Sequence, residues 1–280
     1  MSTDGWLDRL RTAVAARGRL CVGIDPHPAL LEQWGLPRSA DGLEAFAEIC
    51  VEAFVGEIAV VKPQVAFFEA YGSAGIAVLE RTVSVLRDAG TLVIADAKRG
   101  DIGTTMSAYA QAWLGAESSL SSDAVTVSPY LGFDSLKETF AVAEAGGRGV
   151  FVLARTSNPE GASLQQAATS GIEQALGSTV AQSIVEGAAA VNSDGAVTVG
   201  LVVGATRGHG LDLAGFTGPI LAPGLGAQGA TVSDLAQIFE HTRELLLPSS
   251  SRGILAAGPS VEALQSAAKT LRDEVEAGLS

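Results

Sequence analysis

Short apolar runs recur along the chain: Leu20–Ile24, Ile58–Val61, Leu92–Ala95, Ala124–Val127, Val150–Ala154, Val199–Val203, Pro219–Ala222 and Gly253–Ala257. Each has the length of a strand and most are rich in Val, Ile and Leu. Their apolar character is continuous rather than alternating, which fits strands covered on both faces and so a parallel sheet. Between them, apolar positions at helical spacing predict helices over Leu43–Phe54, Ile76–Ala89, Ser135–Ala145, Gly171–Ala190, Val232–Leu245 and Val261–Ala277, with Gly90 as a helix stop. Strand and helix alternate about eight times, the pattern of βα units with right-handed crossovers. Eight units in about 250 residues predict a closed (β/α)8 TIM barrel forming one α/β domain. An open, doubly wound sheet is the alternative. The longest connection, Thr156–Gly195, is rich in Ala, Ser, Gln and Gly and is expected to hold a loop and a helix over the barrel mouth.

Composition narrows the functional classes. With 280 residues, 47% hydrophobic and 18% charged, the chain can bury a sizeable core. Its net charge of −13 disfavours nucleic acid and anionic lipid as partners. The two cysteines, Cys21 and Cys50, form no CxxC pair, so neither a disulfide scaffold nor a zinc finger is expected, and a reducing cytoplasm is. No signal core or membrane-length apolar run is present. The three histidines (His27, His209 and His241) lie far apart without metal-ligand spacing, so no metal is expected.

Barrel active sites are built at the C-terminal ends of the strands. Polar residues following the apolar runs are therefore the candidates: Asp25, Lys62, the segment Asp96-Ala97-Lys98-Arg99-Gly100-Asp101, and Arg155-Thr156-Ser157-Asn158. Only four lysines occur, and two of them, Lys62 and Lys98, fall at strand ends. Lys62 is either a charge capping a strand or a functional ammonium beside a carboxylate. Asp96 and Lys98 project to one face of an extended chain. A lysine among carboxylates stays protonated and can serve as a general acid. A carboxylate facing a substrate carboxylate is unfavourable in the ground state, and loss of carbon dioxide relieves the repulsion. The bland alternative is a surface ion-pair cluster. Ala222–Gly229, which includes Pro223, Gly224 and Gln228, has the glycine content that lets backbone N–H groups approach a phosphate, though it could be a simple turn. Arg252, placed at the last strand, could clamp the same phosphate. Arg155 and Arg207 also fall near the mouth. His27 and His209 are read as solvated loop residues without a role.

Together these segments resemble the orotidine 5′-phosphate decarboxylase family, in particular its longer bacterial subgroup. The matching stretches are VGIDPHP (22–28), VVKPQVAFFE (60–69), IADAKRGDIGTT (94–105), VSPYLGFDSL (127–136), ARTSNP (154–159), VGAT (203–206), APGLGAQG (222–229) and SRGIL (251–255). The resemblance implies a cofactor-independent enzyme that converts orotidine 5′-monophosphate to UMP and carbon dioxide, the last step of de novo UMP synthesis. It also implies a homodimer with shared sites. By this resemblance Lys98 would donate the proton to C6, Asp96 would lie beside the departing carboxylate, and Lys62 would complete the charge network. Asp101 would enter the neighbouring subunit's site, with Thr105 near the ribose. Asp25 would bind the ribose hydroxyls and Ser157 the pyrimidine. Gln228 and Arg252 would hold the phosphate, with Pro223 also in the substrate-binding set. The ARTSNP segment departs from the shorter subgroup, as does Ser251 where that subgroup commonly has glycine.

Two other readings compete. The magnesium-dependent 3-keto-L-gulonate 6-phosphate decarboxylases, with their hexulose-phosphate synthase relatives, share the fold and a similar Asp-x-Lys-x-x-Asp cluster. A non-catalytic phosphosugar-binding protein would bind nucleotide without turnover.

Overall fold

The apolar runs become strands because runs of Val, Ile and Leu suit a pleated surface covered on both sides. The computed structural model describes residues 5–169, 178–193, 195, 199–205, 208–226, 229–240 and 242–280. Its strands are β1 (Cys21–Ile24), β2 (Val60–Pro63), β3 (Leu92–Arg99), β4 (Ala124–Val127), β5 (Gly149–Arg155), β6 (Val199–Val203), β7 (Ile220–Pro223) and β8 (Leu246–Ser250). Every neighbouring pair is parallel and in sequence order. Pairing of Cys21 with Ser249 and Val22 with Ser250 closes the barrel. The open-sheet alternative is thereby excluded.

Helices pack around the outside. The helix Gly72–Asp88 stops where expected: Gly90 adopts φ +77°. There the Gly90 N–H donates to Arg87 O, and the Thr91 N–H to Leu86 O, closing a Schellman motif. The helices not anticipated include Trp6–Arg17 and Gly103–Leu114. The first forms the barrel floor: Trp6, Leu10 and Ala13 pack with Cys21, Val60, Leu92, Ala124, Phe151 and Leu247. The Trp6 and Phe151 rings meet edge to face at 6.2 Å. Gly149 makes room for Trp6, since a Cβ there would lie 2.4 Å from the indole nitrogen. Arg9 fastens the helix by donating to Asp123 at 2.6 Å.

Three expectations are corrected. Gly253–Ala257 is not the eighth strand. That strand is Leu246–Ser250, and a helical turn, Arg252–Leu255, follows it. Pro248 and two serines disguise it, because proline argues against an interior strand. The predicted helix Val232–Leu245 ends at Ile238 as a consequence. The helix after β5, Val180–Ser193, packs against β5 and β6 rather than over the mouth. Between β6 and β7 the described residues form no helix.

Candidate active site

A cavity of about 290 Å³ opens at the C-terminal ends of the strands. Its lining comes from β2, β3, β6, β7, β8 and the segments after β1, β2, β5, β7 and β8, and it includes Asp25, Lys62, Asp96, Lys98, Ser157, Pro223 and Arg252. These are seven of the residues singled out from the sequence.

At its centre is the Asp96 carboxylate, 7% exposed. Lys62 on β2 donates to Oδ2 at 2.8 Å, and Gln64 Nε2 donates to the same oxygen at 3.0 Å. On the other oxygen, Lys98 Nζ donates to Oδ1 at 2.5 Å and Thr126 Oγ1 at 3.0 Å. One buried anion thus bridges a buried and a half-exposed ammonium. Burial disfavours the charged form of Asp96, but Lys62 and Lys98 outweigh it and hold the carboxyl well below the usual carboxylate range. Burial likewise opposes the Lys62 ammonium, yet Asp96 and Asp25 keep it above the ordinary lysine range. Cys21 lies nearby, and its thiol is pushed up to about 12, chiefly by burial.

The rest of the cavity is polar. Asp25 leaves Oδ1 buried without a hydrogen-bond partner, as does Ser250 its Oγ. The loop after β7 turns through left-handed glycines, Gly224 at φ +119° and Gly226 at φ +76°, which a side chain would strain. Arg252 begins the turn after β8, on the same rim. The corrected strand assignment therefore puts its guanidinium at the C-terminal face, where an anion could meet both it and the glycine loop. Gln228 and Arg207 lie outside the described residues.

Two candidates do not reach this cavity. Asp101 accepts a hydrogen bond from the Ile102 N–H at 2.8 Å, and Thr105 is exposed on the helix Gly103–Leu114. Neither lines the pocket. Arg155 acts locally. It donates to Thr156 O and Gln165 Oε1, each at 2.9 Å, bracing the segment that presents Ser157. His27 caps a helix by accepting from the Ala29 N–H. His209 is half-buried rather than solvated; its Nδ1 accepts from the Leu211 N–H and its Nε2 meets Ile238 O at 3.2 Å. His241 lies outside the described residues. Among the described residues, no group of three or more His, Cys, Asp or Glu is arranged to hold a metal ion.

Sequence reading missed Gln64 and Thr126. Gln64 could have been found two residues beyond Lys62, on the same face of an extended chain. Thr126 is the lone hydroxyl in the strand AVTV and looked like ordinary β-branched filling.

The site thus combines a preorganised row of charges with an adjacent rim suited to an anion. Residues 18–267 match the model of the orotidine 5′-phosphate decarboxylase / HUMPS family. Orotidine 5′-phosphate decarboxylase of Salinispora arenicola is 55% identical over 274 residues, covering 97% of each chain. The Corynebacterium glutamicum enzyme of the same name is 53% identical over 272 residues, 95% of this chain and 96% of that one. A crystal structure from Streptomyces avermitilis superposes with a TM-score of 0.92 at 48% identity, covering 100% of this chain and 97% of the other. The chain belongs to the orotidine 5′-phosphate decarboxylase / HUMPS family.

Proposed function

We propose that this chain decarboxylates orotidine 5′-monophosphate to UMP and carbon dioxide, closing de novo UMP synthesis in the cytoplasm. The observation that carries the reading is the Lys62–Asp96–Lys98 row on the cavity wall. Identity above 50% to two decarboxylases over nearly the whole chain supports it.

In this reading the phosphate sits between the glycine loop and Arg252, the ribose against Asp25, and the pyrimidine near Ser157, with Pro223 beside the nucleotide. Gln228 would join the phosphate contacts. The C6 carboxylate then faces Asp96. When the carbon–carbon bond breaks, its electron pair stays on C6 and carbon dioxide departs. Lys98 Nζ stabilises the growing charge and transfers its proton to C6. Because the charges are fixed before reaction, they need not reorganise as the carbanion develops. Contacts to phosphate and ribose, remote from the breaking bond, supply binding energy that holds the ring against the row.

The reading needs no metal or organic cofactor. It includes a homodimer in which Asp101 and Thr105 complete the partner's site. Beside Asp101, Ile102 is 61% exposed, and Tyr130 and Leu131 are 74% and 52% exposed, an apolar surface suited to burial by a second copy. The Ser128 N–H donates to Arg99 O at 2.7 Å and ties the two loops together.

The test is carbon dioxide release from orotidine 5′-monophosphate by the purified protein in EDTA. Turnover to UMP under chelation is expected. Strict dependence on magnesium would favour the 3-keto-L-gulonate 6-phosphate branch, and nucleotide binding without turnover would favour a binding protein.

A further inference from the structure

We propose that Thr126 is a positioning residue for the decarboxylation described above, holding Lys98 in a backbone conformation that aims its ammonium at Asp96. The inference rests on that functional reading. Among the described residues, Lys98 is the only non-glycine with positive φ, at +48°. Such a conformation is disfavoured for a lysine and persists only where neighbours hold it.

The cause lies in the pairing of β3 with β4. Ala95 pairs with Val125, and the next pair is Arg99 with Val127. Three residues, Asp96, Ala97 and Lys98, therefore face the single residue Thr126. Such a bulge removes ladder partners and re-aims side chains. Thr126 replaces what is lost: its Oγ1 accepts from the Lys98 N–H at 2.9 Å and donates to Asp96 Oδ1 at 3.0 Å. That carboxylate oxygen is also the one that receives Lys98 Nζ. One hydroxyl, on a residue 1% exposed, thus fixes the lysine backbone and the anion its side chain seeks. Its single proton is committed to Asp96, so the acceptor lone pair faces the amide. Valine has the same shape and lacks both functions; serine keeps both.

The experiment compares Thr126→Val and Thr126→Ser with the native protein. In Thr126→Val, kcat should fall roughly 10- to 100-fold, the scale of one or two lost hydrogen bonds, while KM changes less than about threefold. Thr126→Ser should recover kcat to within about threefold of native. In crystals of Thr126→Val, Lys98 should leave the left-handed region or lose its contact with Asp96. If Thr126→Val does not fold, Thr126→Ala takes its place with the same expectations. Native kcat in the valine variant, or equal losses in valine and serine, would overturn the role. Should the native protein fail to decarboxylate the substrate, the functional reading falls. The Lys98 geometry in the valine crystal then decides the positioning claim alone, and an unchanged φ near +48° with the Asp96 contact intact overturns it.

Discussion

Asp96 accepts hydrogen bonds from Lys62, Gln64, Lys98 and Thr126, so every lone-pair direction of a buried carboxylate is used. Its carboxyl sits below the usual range because two ammonium groups outweigh burial. The stability this contributes is present above the unfolded carboxyl value of about 3.9 and is lost as pH falls below it. The urea midpoint should therefore drop as pH falls from about 5 to 2, and Asp96→Asn should show a shallower drop from a lower starting point. Equal slopes in the two proteins would count against the assigned charge state. Arg252→Ala should mainly raise KM for orotidine 5′-monophosphate, because a phosphate contact remote from C6 contributes binding; an unchanged KM with lowered kcat would remove Arg252 from the phosphate site. At this scale the sequence was informative about charge and silent about support. Lys62, Asp96 and Lys98 stood out because lysine is rare here and strand ends are special. Thr126 did not, since its importance depends on a register shift that no linear pattern encodes.

The elements divide into a floor, a wall and a rim. The helix Trp6–Arg17 closes the N-terminal end, far from the reacting groups, and Trp6 is 3% exposed. Trp6→Ala should cost about 3–5 kcal/mol of unfolding free energy, the usual range for deleting a buried aromatic side chain. Its kcat at saturating substrate should stay near native, and urea unfolding with steady-state assays would show both. A large loss of kcat with little loss of stability would contradict the division. The strands Ala124–Val127 and Val199–Val203 were readable to the residue. Leu246–Ser250 was not, because barrel closure buries Pro248 and two serines in a place where local preference argues against a strand. The floor helix was missed for a related reason: its buried positions make sense only once there is a barrel end to plug.

For the whole molecule, alternation of eight apolar runs with helices was enough to predict the closed barrel. Assembly is another matter: Asp101 and Thr105 lie outside the cavity of their own chain, beside exposed Ile102. If sites are shared, mixing Asp101→Ala with Lys98→Ala subunits should restore activity, since one hybrid site keeps both groups. No recovery after proven subunit exchange would argue for self-contained sites. A chain of net charge −13 that must hold an anionic nucleotide needs locally concentrated cations, and Lys62, Lys98 and Arg252 supply them around one cavity. In the proposed reaction the Lys98 ammonium protonates the carbon that loses its carboxylate. Carbon dioxide release from orotidine 5′-monophosphate, followed for native and Lys98→Ala protein side by side in EDTA with UMP binding measured on both, probes that step at its source. Turnover should fall by at least about 1,000-fold in the variant while UMP still binds, in line with loss of a general acid that also provides electrostatic stabilisation. Near-native release by Lys98→Ala would contradict the proton-donor role and the charge row built around it.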